Sequence, residues 1–225
     1  MATVTHPLVF LNNHLYVQID GALGVYDTGA DSSFGIRPVS LLGPAQEISA
    51  DYAGFTAGDI SSFLRETVAG IIGADLINPF DHLIDLRTNT LTVSDEQLAC
   101  DGHVQPLDFF MGVPMLEAQV GGARCKLFFD TGAQISYYQS NPPPGAENVG
   151  SLDDFFPMGG NFTTDTYRFP IVLKGFSPVV RCGKLPGLMG MSLGMAGVSG
   201  ILGNELMRAR ITGYFPRRHQ LILQA

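Results

Sequence analysis

Two aspartates occupy the same four-residue setting, Asp27-Thr28-Gly29-Ala30 and Asp130-Thr131-Gly132-Ala133, 103 positions apart and each at the end of a hydrophobic run (Val25-Tyr26 and Phe128-Phe129). A carboxylate at the end of a buried run is costly to keep. If a pseudo-two-fold axis relates the two loops, Asp27 faces Asp130, and two like charges that close share one proton and titrate as a unit. One acid and one base then flank a single water. Such a pair can activate that water and polarise an amide carbonyl without a metal or a covalent intermediate. Thr28 and Thr131 would donate hydroxyl hydrogen bonds across the axis, while Gly29 and Gly132 allow the tight turn and the close approach of a substrate backbone.

The elements that must position these loops are themselves repeated. Each loop follows a similar strand and turn, Gln18-Ile19-Asp20-Gly21-Ala22 in the first copy and Gln119-Val120-Gly121-Gly122-Ala123 in the second. Downstream, Gly70-Ile71-Ile72-Gly73 is matched by Gly200-Ile201-Leu202-Gly203, and 18 residues separate Gly73 from Leu91 as they do Gly203 from Leu221. The second copy carries 27 extra residues between its two motifs, including Pro142-Pro143-Pro144. Insertions of that kind belong in loops and added hairpins. The repeat divides the chain into an N-terminal lobe at 1–98 and a C-terminal lobe at 99–225, with the insertion at about 141–198. Alternation in Leu15–Ile19 and Asn89–Val93 predicts half-buried strands, with Thr88-Asn89 and Arg218-His219 as hairpin turns. Short helices are expected at Leu76–Phe80 and Glu205–Arg210. With 27 Gly and 14 Pro among 225 residues, the fold class is all-β.

The tetrads followed by Ile71-Ile72-Gly73 and Ile201-Leu202-Gly203 resemble the two halves of an aspartic protease of the retropepsin type, fused in one chain. The resemblance covers nearly the whole sequence except the insertion. It implies a bilobal acid-protease fold of two β-barrel lobes with the active site between them. Asp27 and Asp130 are its implied catalytic residues, and Thr28, Gly29, Ala30, Thr131, Gly132 and Ala133 its supporting loop residues. In that family the hydrophobic-hydrophobic-Gly strand crosses behind the loop and orients it. The implied reaction is hydrolysis of an extended polypeptide, with no cofactor and no metal, by a chain that supplies both halves and works as a monomer. Ala30 and Ala133 stand where pepsin-type chains place a hydroxyl residue, so the ionised carboxylate lacks one donor and the working pH is expected to be less acidic than pepsin's.

Proteases of this type close a hairpin flap over the substrate. Tyr52, Gly54 and Phe55 suit one flap, and Gly159 and Gly160, between Phe155-Phe156 and Phe162, suit a second. Two other functional readings compete. A homologue that binds peptides without cutting them is the first. A serine hydrolase is the second, because Gly190-Met191-Ser192-Leu193-Gly194 is a literal GxSxG motif with His219 downstream, although no Asp follows Ser192 and the βα alternation is missing. Leu188-Met189-Gly190 also competes with Ile201-Leu202-Gly203 for the strand behind the second loop, and the 18-residue spacing favours Gly203.

Composition excludes more than it names. A formal charge of -8 with scattered basic residues gives no stripe to neutralise phosphates, so nucleic acid is not expected as a partner. The charge-free stretch Leu185–Asn204 contains six glycines and a proline, which suits buried loop and turn rather than a lipid-facing span. The five histidines have no ligand spacing. Cys100, Cys125 and Cys182 cannot all pair within the chain and suit free thiols in a reducing compartment. With no basic, apolar leader at Met1–Pro7, a cytoplasmic location is expected, export after loss of a leader being the alternative.

Overall fold

Among the described residues, five two-residue loops have both residues at positive φ: Asn12-Asn13, Asp20-Gly21, Ala53-Gly54, Met111-Gly112 and Gly121-Gly122. That is the primed turn whose twist matches a right-handed hairpin, and it folds each flanking pair of hydrophobic runs into antiparallel strands. The computed structural model describes residues 1–156 and 160–224, excepting the side chain of Leu188.

The first half of the chain runs β1 (Thr3–Leu11), β2 (His14–Ile19), β3 (Ala22–Tyr26), β4 (Phe34–Gly35), β5 (Asp51–Tyr52), β6 (Phe55–Thr56), α1 (Ala57–Leu64), β7 (Gly70–Ile72), α2 (Ala74–Ile77), β8 (Asp81–Asp85) and β9 (Thr90–Ser94). The second half runs β10 (His103–Pro106), β11 (Asp108–Phe110), β12 (Val113–Val120), β13 (Ala123–Phe129), β14 (Ser136–Tyr138), β15 (Glu147–Phe156), β16 (Gly160–Val172), β17 (Val179–Gly183), α3 (Gly187–Met195), β18 (Gly200–Leu202), a 3-10 turn (Asn204–Met207), β19 (Ile211–Phe215) and β20 (Gln220–Leu223). The molecule is all-β in character, with helices as a minor component.

Two large sheets carry the fold. The first has the order β10-β20-β19-β8-β9-β1-β2-β3-β7-β4 and the second β11-β12-β13-β18-β14-β17-β16-β15. An added pairing of β12 with β16 (Val120↔Ile171) closes six strands of the second sheet into a ring. In the first sheet, β19 lies beside β8 (Gly213↔Leu83), so strands from beyond residue 99 extend a sheet built by the N-terminal half. One core cluster accordingly takes side chains from both halves, Leu91 and Leu223 among them.

The register behind the two Asp loops is the same in both halves. β3 runs parallel to β7 (Val25↔Ile71) while β4 pairs antiparallel to β7 (Phe34↔Ile71). β13 runs parallel to β18 (Phe128↔Ile201) while β14 pairs antiparallel to β18 (Tyr137↔Ile201). Gly203 therefore closes the strand behind the second loop, and Gly190 lies inside α3.

Three local expectations meet a different structure. The helices after Gly73 and Gly203 begin at Ala74 and Asn204, earlier than expected, because each glycine is itself the N-cap. The stretch expected as buried loop contains the nine-residue α3, whose glycines are tolerated because Met189 and Leu193 bury against the second-half core. Helix α1 has no sequence forecast; Thr56 and Asp59 form a capping box at its start, and Ala57, Ile60 and Leu64 bury one face. Among the described residues no helix is long and apolar enough to cross a membrane. Cys182 is buried, while Cys100 and Cys125 are partly buried, and all three are free thiols.

Candidate active site

Each Asp loop is hung from the strand behind it. The Asp27 amide donates to the Ile72 carbonyl and the Asp130 amide to the Leu202 carbonyl, both at 3.0 Å. The Ala74 amide donates to Ala30 O at 2.8 Å and the Asn204 amide to Ala133 O at 3.0 Å. Two serines complete the brace: Ser33 Oγ accepts from the Gly73 amide at 2.8 Å and Ser136 Oγ from the Gly203 amide at 3.1 Å. These serines also stand 103 residues apart, a signal that the spacing carried and that reading for the tetrads alone passes over.

The two loops are then cross-braced to each other. The Thr28 amide donates to Thr131 Oγ1 and the Thr131 amide to Thr28 Oγ1, both at 3.0 Å. Each hydroxyl in turn donates across the axis, Thr28 Oγ1 to Phe129 O at 2.8 Å and Thr131 Oγ1 to Tyr26 O at 2.7 Å. Both threonines are fully buried. Four hydrogen bonds among buried groups therefore fix the distance between the loops, and losing one partner would leave the others unsatisfied.

This brace brings Asp27 and Asp130 together at the floor of a cleft. A methyl group on Gly29 would lie 2.3 Å from Asp130 Cγ, and one on Gly132 would lie 2.5 Å from Asp27 Cγ. The carboxyls come close enough to hydrogen-bond one another once one is protonated. Asp27 Oδ1 accepts from the amides of Gly29 (2.9 Å) and Ala30 (3.1 Å), and Asp130 Oδ1 from those of Gly132 (2.8 Å) and Ala133 (3.1 Å). Among the described residues no side-chain hydroxyl donates to either carboxylate. These amides favour the ionised form, but burial outweighs them, so both carboxyls are held above the ordinary carboxylate range, and repulsion from Asp27 adds to the rise at Asp130.

The cleft above the pair is a cavity of ≈ 230 Å³. On the first-half side it is lined by Phe34, Tyr52, Ile60 and Leu64, and on the second-half side by Tyr137, Phe156, Phe162 and Leu185. Tyr52 comes from the β5-β6 hairpin and stacks on Phe34, with ring centroids 6.2 Å apart. Burial, with Asp31 alongside, pushes its phenol above the ordinary tyrosine range. Gly54 sits at the exposed hairpin tip, and Phe55 stacks on Phe63 of α1 instead of lining the cavity. In the second half, Gly160 opens β16 at φ 73 and does not line the cavity, and Gly159 lies outside the described residues.

Sequence reading missed three contributors, His14, Tyr137 and Asp154, and the contact that Phe155 makes. Phe155 at the end of β15 stacks on Phe63 at 4.6 Å and 4°, so the second-half hairpin touches the first-half helix over the cleft. His14 Nδ1 lies 3.3 Å from the Gly132 carbonyl, and burial lowers its pKa despite the pull of Asp154. Tyr137 donates its hydroxyl to Asp154 Oδ2. Its only sequence signal was its place 103 residues after Phe34; Asp154, in the insertion, had none.

Ser192 lies within α3, with its hydroxyl donating to Met189 O at 2.7 Å. His219 packs edge-on against Phe109, its Nδ1 3.1 Å from Leu107 O. Among the described residues no group of three or more His, Cys, Asp or Glu side chains could hold a metal ion. No protein-family model matches the chain, and no curated protein is significantly similar to it.

Proposed function

We propose that the chain is an aspartic endopeptidase with two retropepsin-like lobes in one polypeptide, hydrolysing an extended peptide by a water activated between Asp27 and Asp130. The observation that carries this reading is the reciprocal Thr28/Thr131 brace, which holds two partly buried carboxyls within reach of one shared proton. A pair of turns with no chemical task would gain nothing from that expense.

The ionised carboxylate accepts a proton from the water as it attacks the scissile carbonyl, and the protonated partner donates to the carbonyl oxygen. A tetrahedral diol forms, and proton return to the amide nitrogen completes cleavage. Because the two loops are pseudo-symmetric, the pair acts as one coupled acid-base unit. The cleft between the β5-β6 and β15-β16 hairpins suits a substrate bound as an extended strand. The Ser192 alternative draws no support from a hydroxyl bound inside a helix.

The test is incubation of the purified chain with a mixed peptide library from pH 3 to 8, with and without pepstatin, alongside Asp27→Asn and Asp130→Asn. The expected result is pepstatin-sensitive cleavage by the parent alone. Peptides bound but never cut by the parent would instead support the silent binding homologue. Because both carboxyls are raised, the singly protonated pair persists above the ordinary carboxylate range, and activity is expected to peak well above pH 2.

A further inference from the structure

At equivalent places both halves set a tyrosine and a carboxylate in the cleft wall. Phe34 and Tyr137 pair with Ile71 and Ile201 in the same register. Phe34 stacks on Tyr52, which has Asp31 beside it. Tyr137 packs against Phe162 of β16 and donates a hydrogen bond to Asp154 of β15.

Asp154 lines the same cavity as Asp27 and Asp130. Its Oδ2 accepts from Tyr137 and its Oδ1 from the Phe155 amide at 2.8 Å. A carboxylate offers about four lone-pair positions, so two remain for a ligand. Among the described residues no Lys or Arg lines this cavity or pairs with Asp154, and Pro157, Met158, Gly159 and Ala225, outside the description, are not cationic either. Elsewhere Arg217 and Arg218 pair with Asp81, Arg87 with Asp85 and Lys126 with Asp108. The other titratable groups facing the cavity are Asp31, the catalytic pair, the two tyrosines and His14, and burial disfavours the cationic form of His14. Around Asp154, Phe156, Phe162 and Leu185 offer apolar walls along which an aliphatic stem can lie, and the rings attract a cation.

We propose that Asp154 is a specificity-determining residue that receives a lysine or arginine side chain of the substrate, making the preferred substrate a basic peptide. The inference rests on the proteolytic reading for its kinetic form, and on the cleft alone for its binding form. A net charge of -8 further favours the approach of such peptides.

The experiment compares matched peptides carrying arginine, citrulline, lysine or norleucine at one position, with the parent chain and with Asp154→Asn, reading both kcat/KM and binding by fluorescence anisotropy. The parent is expected to favour arginine over citrulline on the order of 10- to 100-fold, the scale of a charge-assisted contact removed from bulk water. Asp154→Asn should lose that preference, read as the arginine-to-citrulline ratio within the variant itself. Equal use of arginine and citrulline by the parent, or an undiminished preference in Asp154→Asn, overturns the proposal. If no peptide is cut at any pH, the proteolytic reading fails, and the charge preference in binding still decides the role of Asp154. The parent's arginine-to-citrulline ratio alone decides the matter should the variant not fold.

Discussion

Gly29 and Gly132 illustrate how little freedom the site leaves to a single residue. A methyl on either would collide with the opposite carboxyl, at 2.3 Å and 2.5 Å from the Asp Cγ. Gly29→Ala and Gly132→Ala are therefore expected to abolish peptide cleavage while leaving a folded chain by circular dichroism; full activity in either variant would contradict the geometry. The carboxyls themselves store a cost. Their folded pKa values are raised above the unfolded ones, so the folded chain binds a proton more tightly than the unfolded chain. The stabilisation this linkage gives is fully present below the ordinary carboxylate pKa and is lost as pH rises through the folded values. Asp130→Asn, which removes this poorly solvated charge, should consequently raise Tm at pH 7, with the gain shrinking as pH falls toward about 4, the ordinary carboxylate value, and changing little below it. A Tm at pH 7 lower than the parent's would contradict this. Thr131→Val removes one donor and one acceptor of the brace; a stability loss of about 2–4 kcal/mol by denaturant unfolding is expected, with a kcat loss far larger than any change in KM.

At the scale of elements, the cleft roof is an aromatic contact between α1 and β15. Phe63 and Phe155 stack face to face, Phe55 packs on Phe63, and the tilted ring of His14 lies 6.5 Å from that of Phe155. A double-mutant cycle with Phe63→Leu and Phe155→Leu should return a coupling of about 0.5–1.5 kcal/mol in stability; additive effects would show that the stack contributes nothing. Phe55 and Phe155 were legible in the sequence as part of or beside the two expected flaps, but their packing on Phe63 of α1 was not. Helix α1 has a weak intrinsic signal, with Gly58, Ser61 and Ser62 among its eight residues, and it forms because Thr56 and Asp59 cap it locally and the fold buries its apolar face. The insertion has no repeat partner, so nothing could align Asp154 or Phe155 with a known position. The loops, by contrast, were legible to the residue, because the tetrads, the paired Ile/Leu-Gly strands and their constant spacing encode one local structure twice.

At the scale of the whole molecule, the two halves share a sheet. β10, β19 and β20 extend the sheet of the N-terminal strands, and Asp81, wholly buried on β8, binds Arg217 at 2.9 Å and Arg218 at 2.7 Å. The same arginines bond the carbonyls of Asp95, Glu96 and Leu98, pinning the crossover between the halves. Asp81→Ala strands two guanidinium groups and is expected to cost about 3–5 kcal/mol, read as a lowered denaturant midpoint in one cooperative transition. Separate unfolding of the halves in the parent would contradict the shared sheet as their common support. The sequence repeat drew attention to two alike halves; the strands that join them were hidden because they continue the second copy in sequence while pairing with the first in space.

The shared proton is open to direct observation by carboxyl-carbon NMR titration of the aspartates. The expected result is one carboxyl of the Asp27/Asp130 pair remaining protonated well above pH 4, the ordinary range, with the Asp130 midpoint lowered but still above that range in Asp27→Asn. Simultaneous ionisation of both carboxyls in the ordinary aspartate range would contradict it.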